Sequence, residues 1–326
     1  MTVSVASGTL RARGNAALLL LARYGIYVAL VLMCAIGALI SGSFLTITNI
    51  LSIALSVGYV GFVAIGMAFV VIGGSLIDLS IPGVIAAAGL IALSTEQTVG
   101  PVPAILIAIV VGCFVGLVNG TAVGYFRANA ILVTYAAQII ILGISQAVAG
   151  SGNIYAHGAV FNWLGNATIG RVPLVLPILA VALLVAYVTL HRSTFGRQVF
   201  ATGGGYQASR VAGIPVRRIV MTTFVISGAL AAVTGVLMST ALGSAQDTIG
   251  TGYEFSAITA VAIGGTSLFG GEGTIGRVLA GVLVVGVLDD LLILAGVSIN
   301  AQGLVEGVII IGAVALDVAL RRVRTR

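Results

Sequence analysis

The sequence has few of the residues that make a protein surface soluble. Only 7% of its 326 residues are charged, and all fifteen basic residues are arginines, so lysine is absent. This leaves too little polar surface to cover a water-soluble globule, which excludes that class. A hydrophobic share of 59% and a mean hydropathy of +1.20 predict an all-α integral membrane protein instead.

Reactive side chains are also scarce. Cys34 and Cys113 lie inside apolar runs with no CxxC or metal-ligand spacing, which predicts no disulfide. His157 and His191 fall in segments predicted on opposite sides of the membrane, so they share no metal or catalytic site. The glycine-rich run 270–276 lacks the lysine of a nucleotide-phosphate loop. We therefore predict no catalytic residues, no metal and no cofactor bound by this chain.

Ten apolar segments predict about ten transmembrane helices in a single domain over 18–320. The third and eighth are short, which favours helices that end part-way through the membrane and line a pathway. Residues 1–17 and 321–326 are predicted to be a cytoplasmic N-terminal segment and a cytoplasmic tail. The predicted spans are 18–40, 50–72, 80–95, 102–124, 130–150, 173–190, 219–242, 256–268, 275–296 and 301–320.

The arginines predict the orientation of these spans. With the loop 191–218 inside, ten spans place both termini in the cytoplasm and leave only Arg171 outside. The formal charge of +6 therefore follows the positive-inside rule and does not indicate nucleic-acid binding. The loop 191–218 holds five arginines and His191, and its length and glycine content predict a surface for a cytoplasmic partner.

Glycines repeat every four residues in the fourth span, at Gly112, Gly116, Gly120 and Gly124. Small residues along one helix face let two backbones approach closely. The stripe predicts a tight helix–helix seam within or between subunits, and local packing without a special partner is the open alternative.

Several polar residues fall at or near membrane depth, where they need a reason. Asp78 precedes a helix opened by Pro82, so Asp78 or Ser80 could cap that helix. Gating beside a pathway is the other interpretation of Asp78. Mostly uncharged polar groups of this kind suit a neutral, hydroxyl-rich solute. The predicted pathway or gate residues are Asp78, Ser80, Asn119, Thr134, Gln138, Glu254, Thr266 and Ser267.

Two other functions stay open on the residues alone. Asp289, Asp290 and Glu306 could serve a stand-alone ion-coupled secondary transporter, since such carriers place acids near mid-membrane. A membrane scaffold that transports nothing is the third possibility.

The longest predicted external connection, 151–172, contains the single tryptophan, Trp163, with Tyr155, His157 and Phe161. Interfacial anchoring of aromatic residues explains this composition. A docking surface for an extracytoplasmic partner is the alternative.

Four stretches in order resemble the permease subunit of bacterial ABC importers for monosaccharides, the ribose-permease-like family. They are SLIDLS at 75–80, ILVTYAA at 131–137, GRQVFATGGGYQASRVAGI at 196–214 and GYEFSAITAVAIGGTSLFGGEGTIG at 252–276. The resemblance runs from about residue 45 to 318. It implies a multi-pass protein of the bacterial inner membrane that moves a sugar by alternating access.

The resemblance also implies the partners. These are one or two cytoplasmic ATPase subunits, which use ATP and Mg²⁺, a periplasmic or lipid-anchored sugar-binding protein, and a second permease copy in a homodimer or heterodimer. The binding protein would meet the external connections near 41–49, 151–172 and 243–255. Residues 207–213 have the spacing of the signature that marks coupling helices. The implied coupling residues are Arg197, Gln207, Ala208, Ser209, Arg210, Gly213 and Ile214.

Departures from the family pattern gather at turns around the pathway. Ser75 and Leu76 replace paired glycines, Pro82 replaces glycine, Ala130 stands where proline is expected, and Gly205 and Glu272 replace asparagine and arginine. These changes leave the class intact and the particular sugar undetermined.

Overall fold

The computed structural model describes residues 25–149 and 152–324, so the whole predicted N-terminal segment 1–17, residues 18–24 of the first predicted span, and residues 325–326 of the tail lie outside the described residues. The described chain is mainly helical. Its helices are α1 (Gly25–Ile40), α2 (Ile47–Ile72), α3 (Ile81–Val99), α4 (Pro101–Gly124), α5 (Ala130–Ala149), α6 (Ala159–Asn166), α7 (Val175–His191), α8 (Thr194–Gly204), α9 (Tyr206–Val211), α10 (Val216–Leu242), α11 (Tyr253–Ile263), α12 (Ile275–Leu294) and α13 (Ile299–Arg324).

Four two-residue strands form two antiparallel ladders in the connections. They are β1 (Ile154–Tyr155), β2 (Thr168–Ile169), β3 (Val172–Pro173) and β4 (Ser244–Ala245). β1 pairs with β4, and β2 pairs with β3.

Each of the ten predicted apolar segments contains a helix. Among the described residues, α2, α4, α5 and α10 are long and apolar enough to cross a membrane, and α7 with α8 forms a fifth candidate bent by 69°. The chain is therefore a multi-pass membrane protein. The eighth segment is short as predicted, because α11 has only 11 residues.

The third segment is longer than predicted. α3 continues past residue 95 and accommodates Ser94 and Thr95, whose hydroxyl groups donate to the Ile91 carbonyl at 3.2 and 2.7 Å. The helix ends only at Gly100, whose φ of +87° cannot continue it.

α2 and α10 form the centre of the bundle. In the most apolar window of α2, 83% of residues are buried, whereas in α5 the share is 11%. α10 packs against α2, α3 and α4. Most of the core lies among these helices, and the outer faces of α4 and α5 remain exposed and apolar.

The predicted glycine seam is confirmed, and it lies within the chain, between α4 and α10. A Cβ atom at Gly116 would collide with the Phe224 carbonyl, and one at Gly124 would lie 2.8 Å from the Arg217 carbonyl oxygen. On α10, Gly228 faces the Gly112 carbonyl at equally close range. Only glycine allows these backbones to touch.

The connection 152–174 is hydrogen-bonded to the C-terminal end of α3. Glu96 at the end of α3 accepts a hydrogen bond from the backbone N–H of His157 at 3.3 Å. Phe161 is fully buried, so it belongs to the core and not to an external aromatic surface. Tyr155 and Trp163 remain exposed, as both interpretations of this segment expect.

The two cysteines, Cys34 and Cys113, are free thiols.

Candidate functional site

Four of the eight predicted pathway residues lie together in one buried polar group, which a fifth residue completes. We call Asp78, Ser80, Asn119, Thr134 and Ser227 the Asp78 cluster. Each member is at most 1% exposed. Asp78 Oδ1 accepts from the Ser80 N–H at 3.0 Å and from the Ser80 hydroxyl at 2.6 Å. Asp78 Oδ2 accepts from the Ser227 hydroxyl at 2.8 Å, and Asn119 Nδ2 donates to Ser80 Oγ at 2.9 Å.

The loop between α2 and α3 carries Asp78 into the bundle. It turns sharply because Gly74 and Leu76 both have positive φ, +81° and +65°. Thr134 on α5 fixes its far end by accepting a hydrogen bond from the Leu79 N–H at 3.0 Å. The cluster therefore joins this loop to α4, α5 and α10.

The capping interpretation of Asp78 and Ser80 is wrong. Ser80 occupies the N-cap position of α3, but its side chain makes no capping hydrogen bond. Its proton goes to Asp78 and its oxygen accepts from Asn119, so the hydroxyl is directed away from the helix N–H groups. Asp78 bonds through Oδ1 to Ser80, just before the first residue of α3, and through Oδ2 to Ser227 of α10.

Ser227 is the member that the sequence does not predict. A single serine in an apolar span has no signal that separates a structural hydroxyl from a functional one. The four-residue spacing of Thr223 and Ser227 on α10 is the only hint, since it places two buried hydroxyl groups on one face.

The other four predicted pathway residues lie on other elements. Gln138 is half-buried on α5, and its backbone lies against Gly83. Glu254 is buried in the first turn of α11, and its Oε2 has no partner among the described residues. Thr266 and Ser267 lie in the connection between α11 and α12, and both are buried.

Two of the three acids considered for an ion-coupled carrier, Asp290 and Glu306, each accept a hydrogen bond from a neighbouring helix. Asp290 on α12 accepts a hydrogen bond from Asn49 Nδ2 of α2 at 2.8 Å. Glu306 on α13 accepts from the Ser256 hydroxyl of α11 at 2.8 Å. Each carboxyl group thus joins two helices through a neutral donor. Across the described ranges, no group of three His, Cys, Asp or Glu side chains could hold a metal ion.

The predicted coupling segment consists of the helices α8 and α9. The Ser209 hydroxyl of α9 donates to the Ala201 carbonyl of α8 at 2.7 Å, which fixes the two helices together. α9 ends in a Schellman motif: Gly213 N–H bonds to the Arg210 carbonyl at 3.1 Å and Ile214 N–H to the Ser209 carbonyl at 3.0 Å. Gly213 has φ +80°, which favours glycine.

The outer face of this segment is uncovered. Gln207, Ala208 and Arg210 are exposed, and Val211 is 89% exposed. Arg197 on α8 is also exposed.

Glycines connect the coupling segment, α8 and α9, to the loop between α2 and α3 that carries Asp78. We call that loop the pathway loop. We call this contact the glycine junction; it is formed by Gly74, Gly203, Gly270 and Gly271. A Cβ at Gly203 would collide with the Ile72 carbonyl, while one at Gly74 or Gly270 would lie 2.9 or 2.8 Å from backbone of the junction. Gly271 N–H bonds to the Ile72 carbonyl at 2.9 Å. The junction packs α8 directly against the residues that lead into Asp78.

A cavity of about 400 Å³ lies between the coupling segment, the pathway loop and the α4–α5 turn. Its walls include Ser75, Leu76, Asn129, Thr202 and Tyr206. The size falls in the range of small-molecule sites. The Arg127 guanidinium carbon stands 5.0 Å from the centre of the Tyr206 ring, so a cation–π contact connects α9 to the α4–α5 turn.

Comparison with known proteins defines the class. Residues 49–314 match the family model described as branched-chain amino acid transport system / permease component. The chain therefore belongs to this family of transport permeases. Within the family, it is similar to ribose and L-arabinose permease proteins. No solved structure matches the chain.

Three curated relatives illustrate the similarity. The ribose import permease protein of Escherichia coli (strain K12) is 35% identical over 298 residues, 89% of this chain and 92% of the relative. The ribose import permease protein of Bacillus subtilis (strain 168) is 33% identical over 302 residues, 90% and 92% of the two chains. The L-arabinose ABC transporter permease protein of Azospirillum brasilense is 32% identical over 308 residues, 94% and 90% of the two chains.

Proposed function

We propose that this chain is the membrane permease subunit of an ATP-driven importer that carries a monosaccharide, such as a pentose, a hexose or a related polyol, across the bacterial inner membrane. The ribose and arabinose permeases to which it is similar support the sugar class. The chain would work in a pair of permeases with ATPase subunits inside and a sugar-binding protein outside. Ten crossings would place both termini in the cytoplasm.

The observation that carries the proposal is the contact between an exposed helix and a buried site. α9 exposes Arg210 and Val211, and α8 packs through Gly203 against Ile72 at the start of the pathway loop. Six residues further on, that loop carries Asp78 into the bundle. A partner that grips α9 would therefore move a segment directly connected to the pathway.

The mechanism follows from this connection. ATP binding would draw the ATPase subunits together and shift both coupling segments, because Arg210 can pair with acidic residues of an ATPase. The glycine junction would pass the shift to the loop that contains Asp78. Since the cluster joins that loop to α4, α5 and α10, the bundle would favour either an outward-open or an inward-open arrangement. ATP and Mg²⁺ would stay with the partner subunit.

The cavity beside the pathway loop is the part of this path that we assign to the sugar. Ser75, Asn129, Thr202 and Tyr206 offer hydroxyl and amide groups to a neutral polyol, and no acid lines the cavity among the described residues. The binding protein would select the sugar, so the cavity needs only to accept hydroxyl-rich solutes.

Reconstitution tests the function. The purified permease, its ATPase and its binding protein are placed in liposomes, and uptake of labelled ribose, arabinose and galactose is measured with ATP or with an ion gradient. The proposal expects ATP-dependent uptake of at least one sugar that an uncoupler does not reduce. Uptake that needs no ATPase and collapses with the ion gradient would establish the carrier alternative, and no uptake of any sugar with all partners present would favour the scaffold.

A further inference from the structure

A second cavity opens on the cytoplasmic side of α4 and α10. It has a volume of about 480 Å³ and lies between the end of α4, the helix α9 and the first turn of α10. Three of its eight lining residues are arginines: Arg210, Arg217 and Arg218. Tyr125 and Tyr206 line it as well, and no acidic residue in the described part of the chain does.

Among the side chains that the structure describes, no carboxylate forms an ion pair with Arg210, Arg217 or Arg218. The Arg217 guanidinium carbon instead lies 5.6 Å from the centre of the Tyr125 ring. A stacked guanidinium is held in place with its N–H groups still available to an anion.

Helix α10 adds to the positive potential. Its first three residues line the cavity, so the positive end of a 27-residue helix dipole points toward it. The N–H groups of Val216 and Arg218 already donate to the Ile214 and Pro215 carbonyls at 2.8 and 2.9 Å, so the helix start acts on an anion through its dipole. Arginine, tyrosine and a helix start together form a site for a singly or doubly charged phosphate ester.

An apolar strip continues from this cavity into the membrane region. Phe114, Val118 and Tyr125 share one face of α4 by their spacing, and they are 61%, 50% and 40% exposed. Phe126 beside them is 80% exposed. A soluble anion would leave this apolar strip exposed, whereas acyl chains would cover it.

We propose that the cavity between α4, α9 and α10 binds the headgroup of an anionic phospholipid. The phosphate lies between Arg217 and Arg218, which leaves Arg210 for the ATPase, and the acyl chains run along the Phe114–Tyr125 face of α4. Basic pockets at the cytoplasmic ends of membrane helices are known to hold such headgroups. The lipid neutralises a charged cluster beside the coupling helix α9 and fixes the cytoplasmic end of the α4–α10 seam.

Native mass spectrometry of the full-length protein tests the site. Protein taken from nanodiscs of phosphatidylglycerol and phosphatidylcholine is expected to retain one phosphatidylglycerol through delipidation. Each lost arginine weakens binding about fivefold, so the double variant R217Q/R218Q should lose the retained lipid. Arg192→Gln removes an exposed arginine at the end of α7, outside the cavity, and should behave as wild type.

Two controls and three further outcomes make the result decisive. R217K/R218K keeps the charge and should keep part of the retention, and equal melting of all variants in pure phosphatidylcholine shows that they fold. Equal retention of phosphatidylglycerol by wild type and R217Q/R218Q would overturn the proposal. If inorganic phosphate protects the protein against melting as strongly as phosphatidylglycerol does, the site belongs to a soluble anion instead. Loss of a co-purified ATPase from R217Q/R218Q with lipid retention unchanged would assign the arginines to that subunit.

Discussion

Asp78 Oδ2 accepts a hydrogen bond from the Ser227 hydroxyl at 2.8 Å, and this bond joins the α2–α3 loop to α10 across 149 positions of sequence. Both groups are 1% exposed, so neither can exchange its partner for water. The bond therefore connects the pathway loop, which starts at the glycine junction, to α10, which packs against α2, α3 and α4.

Replacing Ser227 by alanine should destabilise the protein and reduce uptake. The substitution leaves a buried carboxyl oxygen without its donor, which costs about 1–3 kcal/mol. Thermal denaturation in detergent, followed by size-exclusion chromatography, measures the loss. Ser94→Ala is the matched control, because the Ser94 hydroxyl is exposed and bonds only to its own helix. Equal melting temperatures for the two variants would contradict a role for the Asp78–Ser227 bond.

The α4–α10 seam should reject even one added methyl group. A Cβ at Gly116 would collide with the Phe224 carbonyl, so Gly116→Ala must push two backbones apart, at a cost of about 1–3 kcal/mol. At Gly143 on α5, a Cβ meets nothing within 4 Å. Gly143→Ala should therefore leave the melting temperature unchanged or raise it slightly. If Gly116→Ala and Gly143→Ala have the same melting temperature, the α4–α10 seam is not packed as described.

The neighbouring glycines Gly203 and Gly204 allow the glycine junction to be tested within one helix. A Cβ at Gly203 would collide with the Ile72 carbonyl, whereas one at Gly204 meets nothing within 4 Å. Gly203→Ala should lower sugar uptake at least tenfold per ATP hydrolysed, because α8 no longer seats against the pathway loop, while Gly204→Ala keeps wild-type coupling. The ratio of transported sugar to released phosphate in liposomes is the measurement. A ratio that is the same in both variants would remove the junction from the coupling route.

Leu76 occupies a backbone conformation that suits glycine. Its φ of +65° costs an L-residue about 1–2 kcal/mol, and its side chain is 43% exposed, so little packing offsets the strain. Leu76→Gly should raise stability by about 0.5–1 kcal/mol after the greater freedom of glycine in the unfolded chain is subtracted. Leu45→Gly, at an exposed position without positive φ, should lower it. Destabilisation of similar size by both changes would show that Leu76 is not strained.

Run length was enough to predict the helices, because a bilayer sets the length of its spans. The orientation that the arginines indicate stays a prediction. Four of the eight pathway residues, Asp78, Ser80, Asn119 and Thr134, lie together as a shared site requires. Their roles in transport stay predictions, as do those of Arg210 and Gly213.

Long-range pairing is the part that sequence could not predict. The stripe at Gly112–Gly124 predicts a seam but not that α10 is its partner, and Ser227 has no local signal that separates it from other hydroxyls in apolar spans. The glycine junction depends on three segments that lie far apart in the chain. The length of α3 escaped for a local reason, since the Ser94 and Thr95 side chains satisfy themselves on the Ile91 carbonyl.

The most direct test of the central claim is co-purification of the tagged permease with its ATPase in mild detergent, with ATP hydrolysis measured for wild type, Gly213→Leu and Gly204→Ala. Leucine cannot readily adopt the φ of +80° at Gly213, so the end of α9 must rearrange. The account predicts that wild type and Gly204→Ala retain an active ATPase and that Gly213→Leu loses it. An ATPase that binds and works equally well with Gly213→Leu, or none bound to the wild type, would contradict coupling through α9.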